Sequence, residues 1–162
     1  MTNLKIEFYL RLILIISLVS IISAYFIEYI LGYQPCNLCL IERIPYILSL
    51  VLIIFNYISS KNDKFLILLL ALIFAFSLII SVYHFGIEQG FFKESAVCGI
   101  ENTNKVISKE ELLEQLQVKT ISCKDVTFRV FGLSLTTFNI IINLILLISS
   151  IKIFINYEKF KK

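Results

Sequence analysis

Apolar residues in this 162-residue chain are gathered into four runs, at about residues 12–31, 44–60, 65–85 and 133–157. An α-helix rising about 1.5 Å per residue needs about 20 residues to cross a hydrocarbon layer of about 30 Å, and the runs match that length. Charge within them is confined to Glu28 and Lys152 near their ends, where long side chains reach back toward headgroups. No water reaches a backbone at that depth, so each run must pair its own amides, and runs of this length do so as helices. The pattern predicts an all-α integral membrane protein, a four-helix transmembrane bundle in a single domain over 1–162. External links fall at about 32–43 and, much longer, 86–132, between the third and fourth helices. The first run follows Lys5 and Arg11, but it is long for a signal-peptide core and has no small-residue cleavage site, so it reads as a retained span.

Polar residues within the runs recur on helical faces: Ser17, Ser20 and Ser23, then Ser77, Ser81 and His84, then Asn139 and Asn143. Such faces turn to the bundle interior, where small hydroxyls and amides serve helix packing. Only His84 carries a functional expectation as well. A composition of 58% hydrophobic and 17% charged residues is too apolar for a soluble core of this length. The net charge of +3 is modest and the lysines flank apolar runs, which points to headgroups and away from nucleic acid. Lys5, Arg11, Lys61, Lys64, Lys152, Lys159, Lys161 and Lys162 fall on one side of the bundle. The other side carries Arg43 and the basic residues of the long link, diluted there by acidic ones. This bias puts both termini in the cytoplasm and the four cysteines, Cys36, Cys39, Cys98 and Cys123, on the opposite side.

None of these cysteines lies inside a predicted span, and outside the cytoplasm an even set of thiols defaults to disulfides. Their placement suggests a close pair, Cys36 with Cys39, and a distant pair, Cys98 with Cys123, with three connectivities open. The C-x-x-C spacing of Cys36 and Cys39 serves redox centres and zinc sites alike. A helix beginning near Leu38 would hold Cys39 at its positive end, with Arg43 one turn further on the same face. The guanidinium would then stabilise a thiolate or an anionic acceptor; its plainer role is to reach headgroups. Pro45 either kinks the span or sits harmlessly in its first turn. In the long link, Ser108 and Glu111 form a capping box ahead of Leu112, Leu113 and Leu116, which predicts a short amphipathic helix on the membrane surface. A Cys98–Cys123 bond closing this loop would stabilise it by roughly 3 kcal/mol. Beside a C-x-x-C pair, it also reads as a disulfide within reach of a partner thiol.

Four segments, in this order, resemble the bacterial disulfide bond formation protein B (DsbB) family: PCNLCLIERIPY at 35–46, YHFGIEQG at 83–90, the loop cysteines Cys98 and Cys123, and FGLSLTTFN at 131–139. The resemblance covers nearly the whole chain. It implies an inner-membrane enzyme that reoxidises a periplasmic DsbA-like thiol oxidase and passes the electrons to a membrane quinone, ubiquinone or menaquinone. On that resemblance Cys36 and Cys39 form the membrane-proximal disulfide, with Cys39 engaging the quinone ring. Cys98 is the position at which the mixed disulfide with the partner forms, and Cys123 returns electrons to Cys36. Arg43 matches a quinone-site arginine and His84 a histidine near the quinone; no resident metal is implied. The chain departs from the family in having no tryptophan, with Phe91, Phe92, Phe128 and Phe138 at the surrounding aromatic positions. An electron sink also suits the energetics, because a thiol oxidase poised near about −120 mV lies roughly 8 kcal/mol uphill for an ordinary structural disulfide below about −300 mV.

Three other readings compete. A vitamin K epoxide reductase-like enzyme shares the helical bundle and C-x-x-C, but its cysteine order and flanks differ from PCNLC followed by Arg43. A non-enzymatic scaffold would bind zinc through all four cysteines, although Cys98 and Cys123 lack the paired spacing of zinc ligands. A tetraspan structural protein would carry two inert disulfides.

Overall fold

The computed structural model describes residues 4–59, 63–93, 122–124, 128–130 and 132–158. They form α1 (Leu4–Tyr25), a π-helical turn (Phe26–Ile30), α2 (Asn37–Ile41), α3 (Ile44–Ser59), α4 (Asp63–Glu88), β1 (Arg129–Val130), β2 (Leu133–Ser134) and α5 (Leu135–Ile155). Four helical stretches are long and apolar enough to cross a membrane: Lys5–Ile30, Asn37–Ser59, Asp63–Glu88 and Leu135–Ile155. The protein is a helical membrane bundle, as its hydropathy predicts. Cys98 and the amphipathic helix expected after Ser108 lie outside the described residues.

The helices extend beyond the apolar runs wherever the protein satisfies the extra polar groups. α1 starts at Leu4 instead of near residue 12, because Arg11 pairs with Glu7 one turn away while Ile6 and Leu10 are buried. The first link is shorter than expected, since α2 begins at Asn37. Cys36 caps it, its Sγ accepting the Cys39 amide at 3.3 Å. The helix then breaks at Glu42 and Arg43, where the Arg43 amide bonds to Leu40 in a tighter turn. Pro45 falls in the first turn of α3, where its missing donor costs little. At its far end α4 continues through Glu88 and folds back at Gly90, φ +78°, so that the Phe91 and Phe92 amides both reach the Gly86 carbonyl. Phe92 then stacks on Tyr83 at 5.6 Å, a placement that needs glycine at 86, since a Cβ there would run into the Phe92 ring.

Packing is tightest between α4 and α5, with α1 against α3 and α3 against α4. Ile13, Ile53, Ile67, Leu70, Phe74, Leu146 and Ile153 form the buried centre, while Phe55, Leu72, Phe76, Ile79 and Ile148 face outward onto lipid. β1 and β2 pair antiparallel, Arg129 with Ser134 and Val130 with Leu133, and Ser134 caps α5 by accepting the Thr137 amide.

A polar seam joins three helices. Ser81 Oγ donates to the Ser77 backbone carbonyl and accepts from the Asn139 and Asn143 side-chain amides at 2.9 and 3.2 Å, while the Tyr46 hydroxyl donates to Asn139 Oδ1. Ser49 bridges to Ser17 at 3.1 Å. Of the polar faces expected inside, Ser17, Ser77, Ser81, His84 and Asn143 are buried, and Ser20 and Asn139 are half-buried. Ser23 differs, being exposed, because α1 borders a cavity at that level instead of a packed helix. Ser81→Ala leaves two amides without their acceptor in a nonpolar setting, and should destabilise the bundle by roughly 1–2 kcal/mol. Thermal unfolding in detergent will test this against Ser20→Ala, whose hydroxyl bonds the Ile16 carbonyl of its own helix and whose loss should be nearly silent.

Candidate functional site

A cavity of about 410 Å³ lies between α1 and α5, its wall completed by residues of α2, α3 and the end of α4. Cys36, Cys39, Arg43, His84 and Cys123 all line it. The predicted site residues thus converge on one place, except Cys98, which lies outside the described residues.

Cys36 is the capping residue of α2 and Cys39 sits in its first turn, so the C-x-x-C spacing turns both sulfurs to one side, 2.9 Å apart. The two sulfurs are close enough for a small shift to join them as a disulfide. α4 brings His84, 1% exposed, with Nε2 3.5 Å from Cys36 Sγ and Nδ1 3.1 Å from Glu42 Oε1. Glu42 therefore fixes the ring by accepting the Nδ1 proton and aims Nε2 at the sulfur. One turn along α4, Glu88 Oε1 lies 4.0 Å from Nε2 and accepts the Thr136 hydroxyl, while Glu88 Oε2 is buried without a hydrogen-bond partner among the described residues.

Cys36, just outside the second span, has its thiol pushed down to about 4, chiefly by the hydrogen bond from Cys39 and further by His84, against the opposing effect of burial. Cys123 is also buried, in a cluster with Cys36, Leu38 and Ile87 against which Cys39, Ile41 and Tyr83 pack. The Phe128 ring meets Tyr33 at 4.9 Å, which ties the segment before β1 to the link before α2.

Arg43 lines the cavity but ion-pairs with Glu28 and lies over the Tyr25 ring at 5.0 Å. Between Cys39 and Arg43 the helix tightens into a turn at Glu42, and both residues line the cavity. Glu28, expected to snorkel, is instead the partner of this guanidinium. Sequence reasoning also passed over Glu42 and Glu88. The available signals were that Glu88 is four residues after His84 on one helix, and that Glu42 is three after Cys39.

A close cysteine pair at the end of a membrane bundle, with a cysteine from a distant segment in the same buried cluster, has the chemistry of a membrane disulfide oxidoreductase. The family model for disulfide bond formation protein DsbB matches residues 7–153, nearly the whole chain, and the protein belongs to that family. It is also 32% identical over 142 residues to an uncharacterized protein of Rickettsia prowazekii (strain Madrid E), across 86% of this chain and 83% of that one. No solved structure matches the chain.

The lowered Cys36 value gives a pH signature. In the reduced protein the thiolate persists above about pH 4, so alkylation of Cys36 by iodoacetamide, followed by mass spectrometry, should be nearly flat from pH 5 to 8 and fall as pH drops through about 4. A rate that instead climbs steadily toward the ordinary thiol value of about 8.5 would contradict this picture. Cys39→Ala, which removes the largest cause, should shift the profile upward.

Proposed function

We propose that this protein reoxidises a periplasmic DsbA-like thiol oxidase and transfers the electrons to a membrane quinone, ubiquinone or menaquinone. The reading places the chain in the bacterial inner membrane with both termini cytoplasmic and the cysteines periplasmic. The observation that carries it is the meeting of Cys36, Cys39 and Cys123 in one buried cluster beside a cavity holding Arg43 and His84.

The relay begins from two disulfides, Cys36–Cys39 and Cys98–Cys123. A thiolate of the reduced partner attacks Cys98 and displaces Cys123, and the partner's second thiol then releases the oxidised partner. Cys123 attacks Cys36, the bond to Cys39 breaks, and Cys39 leaves as a thiolate. Cys98 next attacks Cys123 in this inter-loop disulfide, which restores Cys98–Cys123 and leaves Cys36 and Cys39 reduced. Two electrons have then moved from the partner to the membrane-proximal pair. The shared cluster of Cys123 and Cys36 supports the internal exchange step, since it gives the attacking and receiving segments a common buried setting.

The cavity fits a quinone headgroup: its volume falls within the usual range for ligand pockets, Phe138 and Ile142 contribute apolar wall, and Arg43 offers N–H donors. A bound quinone would supply a two-electron, two-proton acceptor. Glu28 holds the guanidinium at the cavity wall, and His84, fixed by Glu42, stands beside Cys36 to exchange a proton with the sulfur. Anaerobic quinone reduction by a reduced DsbA-like protein, in detergent, tests the proposal. Wild type should turn over, Cys36→Ser and Cys98→Ser should stall, and Arg43→Met should raise the quinone KM at least about tenfold through loss of a charge-assisted contact. Absence of any quinone-dependent thiol oxidation by wild type would defeat it.

A further inference from the structure

We infer that the reduced centre is also a binding site for a soft divalent cation, taking Zn2+ through Cys36 Sγ, Cys39 Sγ and His84 Nε2. These three donor atoms lie within 4.8 Å of one another. They are two thiols and an imidazole, a donor set that suits zinc better than calcium or magnesium. The spacing also matches: with Zn–S near about 2.3 Å and Zn–N near about 2.0 Å, tetrahedral angles put sulfur and nitrogen roughly 3.5 Å apart and the two sulfurs about 3.8 Å apart. Cys36 Sγ and His84 Nε2 are already 3.5 Å apart, and the sulfurs, at 2.9 Å, need to open by under about 1 Å.

Two further observations point to a cation. Glu42 binds His84 Nδ1 at 3.1 Å, the carboxylate-to-histidine support that leaves Nε2 as the ligand nitrogen and makes it more basic. Glu88, 7% exposed, keeps a buried carboxylate oxygen without a hydrogen-bond partner among the described residues, and its other oxygen is 4.0 Å from Nε2. The fourth position is left open by the three donors, and the charge of a bound cation offsets that of the thiolates and of this nearby carboxylate in a poorly solvated place.

The site is gated by oxidation state. A Cys36–Cys39 disulfide has no thiolate to offer, so the oxidised protein loses two of its ligands. Metal capture is not itself a redox step: Zn2+ displaces whatever thiol protons remain and holds both sulfurs. The consequence rests on the proposed function: a cation seated here withholds the dithiol from reoxidation, and excess zinc outside the cytoplasm would halt the relay in its reduced state. This site differs from a four-cysteine zinc scaffold because it uses His84 and needs neither Cys98 nor Cys123.

Full-length protein in detergent, reduced and freed of metal, provides the test, with Zn2+ titrated against a chromophoric chelator. The reduced form should take up one equivalent and the oxidised form none. Zn2+ should protect Cys36 and Cys39 of the unmodified protein from iodoacetamide, a readout that needs no variant. Glu42→Gln should weaken binding about tenfold, within the range for a supporting carboxylate, and His84→Gln should weaken it more. Co2+ in place of Zn2+ should give a tetrahedral thiolate spectrum that His84→Gln alters. Equal binding by the oxidised form, unprotected thiols, indifference to His84→Gln, or loss of binding in a Cys98→Ser, Cys123→Ser double variant would each overturn the site. Metal-free quinone reduction in the same preparations reports on the proposed function separately, so the two ideas can fail independently.

Discussion

His84 is hydrogen-bonded on both sides of its ring, and the rest of the site is arranged around those two contacts. Cys36 and Glu42, which receive them, bracket α2, so a single side chain from α4 clamps the short helix at both ends. An imidazole only 1% exposed would be costly in a membrane protein without partners. With them, its position fixes the depth of α2, the direction of the Cys36 sulfur and the wall of the cavity. Glu28 and Arg43 repeat the device between the end of α1 and the turn before α3. A partly buried ion pair of this kind is weak evidence of added stability, because desolvation offsets much of its attraction. Its clear effect is geometric, keeping a guanidinium at the cavity while satisfying its charge.

The architecture was legible in the sequence because lipid leaves few choices. A run of about 20 apolar residues must be a helix, and hydroxyls and amides within it must find one another, as Ser81, Asn139 and Asn143 do. The helix ends were much less legible. Glu7, Arg11, Glu42 and Glu88 look like punctuation when charge is taken to mean headgroups, yet three of the four lie within helices and all are paired with other groups of the protein. Pairing reverses the meaning of a charge at the membrane edge, and it depends on contacts between segments far apart in sequence. Glu42 and His84 are such a pair.

Locally the same limit applied to Arg43. Helical spacing assigned it to the side of Cys39, and both line the cavity, but its ion pair with Glu28 has no signature in that spacing. The cysteines were easier to recognise than to locate. C-x-x-C marks a reactive pair by spacing alone, whereas the burial of Cys123 in one cluster with Cys36 has no periodic signature, since it joins segments far apart in sequence.

The uneven packing of the helices has a consequence for how the cavity is supplied. α4 and α5 are closely joined, while α1 and α5, which flank the cavity, touch only sparingly. An apolar molecule entering between them arrives sideways, from among the acyl chains. Its availability is then set by its mole fraction in the bilayer, so a weak intrinsic affinity suffices for occupancy when the molecule is an abundant lipid-soluble one. Concentrations expressed per volume of water would misjudge saturation by the full partition coefficient, and analogues differing only in tail length would rank by partitioning before they rank by fit.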